Sequence, residues 1–356
     1  MANQSLRASV EYRQALIAKP SARGLTERFP HTPRGSLRAL LAQAGPFRAQ
    51  ADVHDAFVFT NKGWRITEED ARTLRERFQR EVDAVKLVGL SALEASLSAV
   101  SVDVPAIPTF NLPAIVVAEV VRRVTDDLTN RLLDSIVSGY PGTFGRCGGM
   151  AFSGLDYFVV GRNVSDSAQQ PASGPLRDYI WKRLLDSLDL NVTKFLEWVM
   201  QLHILPLISK TASGVIGAAA GAVLAGPVGA AVGAFMAGKG DILGLGGPKV
   251  LADRTGGELD KLRTQLRAGP GWPIGLIYDD SAFVWEQHQM LALRQDGGDR
   301  RLQLIVWDNN DGRRETTWTV DVSGDELQVR NGDERDGRIK GIICEEYRPA
   351  VPPLAT

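Results

Sequence analysis

The chain has 356 residues, 44% hydrophobic and 23% charged, with a net charge of −1. That is enough apolar material for one large core or two modest ones, and it excludes both a charge-swollen disordered chain and a basic nucleic-acid binder. Two cysteines exclude a disulfide framework, so a reducing compartment is the default.

Charge is unevenly spread. Residues 1–50 carry eight Lys/Arg against two Glu, whereas residues 296–346 carry thirteen acidic and eight basic side chains. The basic start lacks the apolar centre of a secretory signal, and Glu11 and Glu27 weigh against a transit peptide. The expected location is therefore cytoplasmic as synthesised.

Residues 1–60 mix short amphipathic pieces with Lys19-Pro20, Phe29-Pro30, Thr32-Pro33 and Gly45-Pro46, and read as a loose arm that packs on a later domain. Thr67-Glu68-Glu69-Asp70 has capping-box spacing, with Ile66 placed to staple onto Ala71. Ala71, Leu74, Phe78, Val82 and Val85 then mark one face of a helix reaching about Val88. Pro105, Pro108 and Pro113 punctuate a linker, so residues 1–110 form an N-terminal helical extension. A second long helix is expected from Ala114 to Val137, ended by Gly139-Tyr140-Pro141-Gly142.

The stretch Phe144-Gly145-Arg146-Cys147-Gly148-Gly149-Met150 puts a cysteine at the mouth of a glycine turn. Phe152, Leu155 and Phe158 follow at helical spacing, so Cys147 sits near a helix N-terminus, where unpaired N–H groups favour an anionic sulfur. Gly148 and Gly149 are poor helix formers and are expected to leave the backbone bare for an extended substrate. The plain alternative is a buried cysteine beside a tight turn. A polar loop, 163–175, leads to an amphipathic helix from Leu176 to about Leu188, then Phe195-Leu196-Glu197-Trp198. Asn163 and Asn191 match the glycosylation pattern by chance. His203, within Leu202-His203-Ile204-Leu205, reads as a satisfied, partly buried histidine, and His31 and His54 belong to no constellation.

Thr211 to Gly238 carries no charge in twenty-eight residues. Gly217/Gly221 and Gly229/Gly233 have the spacing that lets helices approach closely, and Gly226-Pro227 splits the segment into two arms. A single span would put Cys147 and His288 on opposite sides of a bilayer. The segment is therefore expected to be a Gly/Ala-rich helical hairpin inserted over 211–248, either buried against the protein or in contact with a membrane. Gly233 to Gly240 nearly matches a phosphate-binding loop but lacks the Ser/Thr for Mg²⁺, and Gly244-Leu245-Gly246-Gly247 lacks dinucleotide spacing. No cofactor and no metal are expected.

From Gly269 the composition turns to short strands: Gly275–Tyr278, Gln289–Arg294, Leu302–Trp307, Thr316–Val322, Glu326–Arg330 and Ile339–Glu345. Trp318, Val320 and Val322 alternate, as do Leu302, Leu304 and Val306, the Asp/Asn/Gly turns suit antiparallel hairpins, and helices first with sheet last indicates an α+β fold. His288 opens one strand. Asp308, or its neighbour Asn309, closes the next. Cysteine, histidine and a carboxylate or amide are the members of a nucleophile–base–orienter set. Cys344 lies in a packed strand, and a Cys147–Cys344 bridge stays open as an alternative.

Cys147–Met150, Pro273-Ile274-Gly275-Leu276-Ile277, His288-Gln289 and Asp308-Asn309, in this order, resemble the papain-like cysteine peptidase superfamily. The likeness is strongest to uncharacterised bacterial proteins with the same Cys-Gly-Gly-Met, His-Gln and Asp-Asn pattern. It covers about residues 140–348 outside the Gly-rich segment, within a domain over 111–348 followed by a short tail, 349–356. The resemblance implies a helical part carrying the cysteine helix and an antiparallel sheet, with the site between them. It implies Cys147 as nucleophile, His288 as base and then acid, and Asp308 as orienter, with Asn309 as the alternative third member. It implies a peptidase or amidase acting on a peptide or protein, with no nucleic-acid partner. The pattern departs from the family at Pro141, where a glutamine usually completes the oxyanion hole. Two other readings follow: a membrane-active effector or toxin using residues 211–238, and a catalytically inactive binding module.

Overall fold

A computed structural model describes residues 56–65, 67–74, 76–77, 145–204, 206, 247–268, 271–281, 286–331 and 337–354. The expected helix at 114–137, the proline linker before it, residues 211–246 of the Gly/Ala-rich segment and the phosphate-loop look-alike at 233–240 lie outside them. So do His31, His54, Pro141 and the expected helix beyond residue 77.

The elements run α1 (Cys147–Val160), α2 (Pro175–Val199), a π-helical turn (Met200–Ile204), α3 (Pro248–Ala268), β1 (Trp272–Tyr278), β2 (His288–Gly297), β3 (Arg301–Trp307), β4 (Glu315–Asp321), β5 (Gln328–Arg330) and β6 (Ile339–Cys344). The strands form one antiparallel sheet in the order β5-β4-β3-β2-β1-β6, so the fold is α+β. Strands β3 and β4 alternate buried and exposed residues over most of their length, as one covered face requires. All seven residues of β1 are buried, because helices or loops cover both of its faces.

Helix α1 lies between α2 and the sheet and buries every residue except Cys147 and Phe158. Gly161, in the left-handed conformation (φ 68°), ends it. Helix α2 joins the two helical pieces expected around Leu176–Leu188 and Phe195–Trp198. Pro175 starts it, and Asn191 is helical and buried, its side chain donating to the carbonyls of Ser187 and Glu346. The π-helical turn then carries His203 to the Tyr278 carbonyl, 3.2 Å away, so His203 is partnered and half-buried.

No local signal marks Pro248–Ala268 as an element beyond a helical stripe of Leu251, Leu259, Leu262 and Leu266, all buried. This helix closes a sheet edge. β6 is the last strand, and its outward N–H groups would be open to pairing. Ile342 donates instead to Thr255 Oγ1 (3.2 Å) and Cys344 to Glu258 Oε2 (3.0 Å), both from α3. Cys344 is buried in β6, and both cysteines are free, so no Cys147–Cys344 bridge exists in the structure.

Residues 56–65, assigned by sequence to the N-terminal extension, are part of the main core. Phe57 stacks on Phe59 and packs against Tyr157 of α1 and Trp307 of β3. The Thr67–Asp70 capping box forms, each backbone N–H donating to the other residue's side chain at 3.0 Å. Among the described residues no helix is long and apolar enough to cross a membrane.

Candidate active site

Cys147 is the first residue of α1 and only half-buried, at the one end of that helix facing open space. The first intrahelical bond runs from the Met150 N–H to the Arg146 carbonyl (2.8 Å). The N–H groups of Cys147, Gly148 and Gly149 therefore have no acceptor inside the helix.

The two glycines after the sulfur serve packing rather than substrate approach, which corrects the expectation from sequence. A Cβ on Gly148 would lie 1.8 Å from Gln289 Oε1, and one on Gly149 would lie 2.2 Å from the Ile180 carbonyl oxygen. Both positions are buried, pressed against β2 and α2. Only hydrogen side chains let the cysteine end of α1 seat between those elements.

Arg146 holds the turn from the other side. Its buried guanidinium lies between the rings of Trp64 and Trp181, 4.6 and 4.9 Å from their centres, and donates to the carbonyls of Arg65 and Arg177. Burial, with Arg177 nearby, lowers its pKa to about 10, so it stays cationic at neutral pH. The residue before the cysteine thus clamps the 56–65 segment to α2.

His288 is the first residue of β2, paired with Leu276 of β1. The β2–β3 ladder reaches Leu291↔Trp307 at this end, so the turn after β3 comes level with His288. There Asp308 Oδ1 lies 2.8 Å from His288 Nε2. Cys147 lines the cleft beside the same ring. Burial disfavours the imidazolium, but the Asp308 carboxylate and the Cys147 sulfur outweigh it and raise the His288 pKa to about 10.

Asp308 faces the imidazole and Asn309 does not. Asn309 is fully buried and donates to the carbonyls of Cys147 (3.1 Å) and Gln289 (2.9 Å), tying the cysteine end of α1 to β2. Asn310 covers the pair: its N–H donates to Asp308 Oδ1 at 2.8 Å, and its side-chain nitrogen lies 3.3 Å from His288 Nε2. Behind His288, Gln289 accepts from Ser187 and donates to the buried Glu345 (2.8 Å). Burial there raises the Glu345 carboxyl to about 8, against the Gln289 hydrogen bond and the nearby charges of Lys194 and His288.

Cys147 and His288 open on a cleft of about 340 Å³, shared with Asn61, Gly145, Tyr278 and Asn310, and the Asp280–Arg338 ion pair (3.0 Å) lies at its margin. Sequence reasoning missed Asn61, Arg146 and Asn310. Asn310 was within sight, in the Asp308-Asn309-Asn310 run. Asn61 was not, because nothing in a local Asn-Lys-Gly turn points to a cysteine 86 residues later. Neither a protein-family model, nor a curated protein, nor a solved structure matches the chain.

Proposed function

We propose that the protein is a papain-like cysteine hydrolase, a peptidase or amidase that transfers an acyl group to water through Cys147, His288 and Asp308. One observation carries the reading: a buried histidine is hydrogen-bonded to a carboxylate and shares a cleft with a half-buried cysteine at a helix N-terminus. Asp308 fixes the ring and favours its cationic form. His288 takes the thiol proton before the sulfur attacks the carbonyl carbon. It returns that proton to the leaving amine when the tetrahedral adduct collapses to a thioester. Water, deprotonated by His288, then releases the acid and restores the thiol. The substrate would be a peptide or protein entering this cleft, and the reaction consumes only water.

The test is the rate of Cys147 alkylation by iodoacetamide across pH, in the wild type and in His288→Ala. Fast alkylation at neutral pH that is lost in His288→Ala is the expected result. Equal, slow alkylation in both proteins would remove the pair and leave a cleft that only binds.

A further inference from the structure

We infer that Asn61 supplies the second oxyanion-hole donor, so that the segment before α1 completes the reacting centre; this rests on the cysteine-hydrolase reading above. The first donor is available from α1 itself, since the Cys147 N–H has no intrahelical acceptor. A second must come from a side chain held beside it. Most side-chain amides around the centre are already occupied. Gln287 donates to the Ser281 carbonyl and accepts from Tyr278, while Gln289 donates to Glu345. Asn309 spends its nitrogen on two carbonyls.

Asn61 is different. It is 7% exposed, lines the cleft with Cys147, and is fixed at both ends of its residue. Its backbone N–H donates to the Asn309 carbonyl at 2.8 Å, and its Oδ1 accepts from the Arg146 N–H. An oxygen facing that donor determines the orientation of the amide, so Nδ2 is the atom turned to the other side. A Cβ on Gly145 would stand 3.0 Å from Nδ2, which places the nitrogen against the backbone just ahead of the cysteine. Among the described residues Nδ2 makes one hydrogen bond, a long one of 3.4 Å to Asn310 Oδ1, and an amide nitrogen carries two hydrogens. When Cys147 Sγ adds to a carbonyl carbon, the C=O π pair moves onto oxygen. That oxygen is then held between the Cys147 N–H and Asn61 Nδ2 until the pair returns and the leaving group departs. Arg146 positions this donor by clamping Trp64 and Arg65, a few residues after Asn61.

The experiment compares two reactions of the full-length protein. Acylation of Cys147 by p-nitrophenyl acetate passes through an oxyanion, whereas alkylation by iodoacetamide at a saturated carbon does not. Asn61→Ala removes the donor. Asn61→Asp removes it too but keeps an oxygen for the Arg146 N–H. Nitrophenolate release is expected to slow by about 10²-fold in both variants while alkylation at neutral pH persists in Asn61→Ala. Acylation at the wild-type rate in Asn61→Asp, with any loss confined to Asn61→Ala, would make Asn61 an anchor and overturn the inference. Acylation at the wild-type rate in both variants overturns it as well, with the hydrolase reading intact. A wild-type thiol that alkylates no faster than His288→Ala brings down both.

Discussion

Helix α1 carries an ionic cluster at each end, and the two behave in opposite ways. At its C-terminal half, Asp156 is fully buried and accepts from Arg183 Nε (2.6 Å), Tyr347 Oη (2.6 Å), Tyr179 Oη (2.9 Å) and the Ala350 N–H (2.8 Å). Arg183 also donates to Asp186 and to the Arg348 carbonyl, so the cluster pins the C-terminal residues to both helices. Nothing there is left to bind anything else. At its N-terminal end, Asp308 and His288 are almost as buried, yet the imidazole also reaches a half-exposed sulfur and an open cleft. A saturated cluster is structural, whereas a cluster with one capacity left open can do chemistry.

Asp308→Ala is the sharpest way to break this comparison. Acylation of Cys147 should fall by about 10³–10⁴-fold, the scale seen when a triad loses its orienting carboxylate. At high pH unfolding free energy should move little, because His288 there loses its proton and remains buried as a neutral ring. The histidine is raised from 6.5 to about 10, so the pair's contribution to stability is complete below pH ~6.5 and is lost as pH rises through about 10. Urea titrations of wild type and Asp308→Ala at pH 6 and pH 10.5 should therefore converge at the higher pH. A stability gap that is the same at both would contradict the charged pair.

Asp156→Ala should show the reverse. Arg183 cannot neutralise itself, so about 3–5 kcal/mol of stability should be lost in urea denaturation. Cys147 alkylation in the protein that remains folded should keep its rate. Little change in the denaturation midpoint would show that the cluster carries no stability.

Glu345 tests the polar layer between these ends. Its carboxyl titrates near 4.5 when free and about 8 when folded, so stability should fall as pH rises between those values and then level off. Glu345→Gln should flatten that slope, with a gain of up to a few kcal/mol at pH 9 over the wild type and none at pH 4. Parallel stability–pH curves for the two proteins would mean that Glu345 is ionised in the folded state.

The smallest expected effect is steric. Gly149→Ala drives a methyl group into the Ile180 carbonyl and should cost about 1–3 kcal/mol, read as a lowered thermal midpoint. Because α1 must tilt to make room, Cys147 alkylation should slow as well. If Gly149→Ala alkylated at the wild-type rate with an unchanged midpoint, the close approach of α1 and α2 would not matter.

Much of this molecule is legible from local pattern. Period-two hydrophobicity marks β3 and β4, short apolar runs between turn residues mark the other described strands, and helical spacing after Cys147 is enough to find α1. Those patterns work because each face of a strand or helix answers to one environment. Helix α3 shows the limit: its leucine stripe is interrupted by charges and a Gly-Gly pair, and its role, capping the β6 edge through Thr255 and Glu258, uses polar residues that carry no periodicity.

The chain itself determined the residue types, their order, and which segments would be helix or strand, because these depend on neighbours a few positions away. Only the tertiary structure decided that Asp308 rather than Asn309 meets the imidazole, since that depends on how the turn after β3 leaves the sheet. It alone decided that Gly148 and Gly149 answer to Gln289 and Ile180, and that Asn61 stands beside Cys147. Each of these is a contact between residues distant in sequence, fixed by packing of whole elements, and no local pattern encodes where such elements meet.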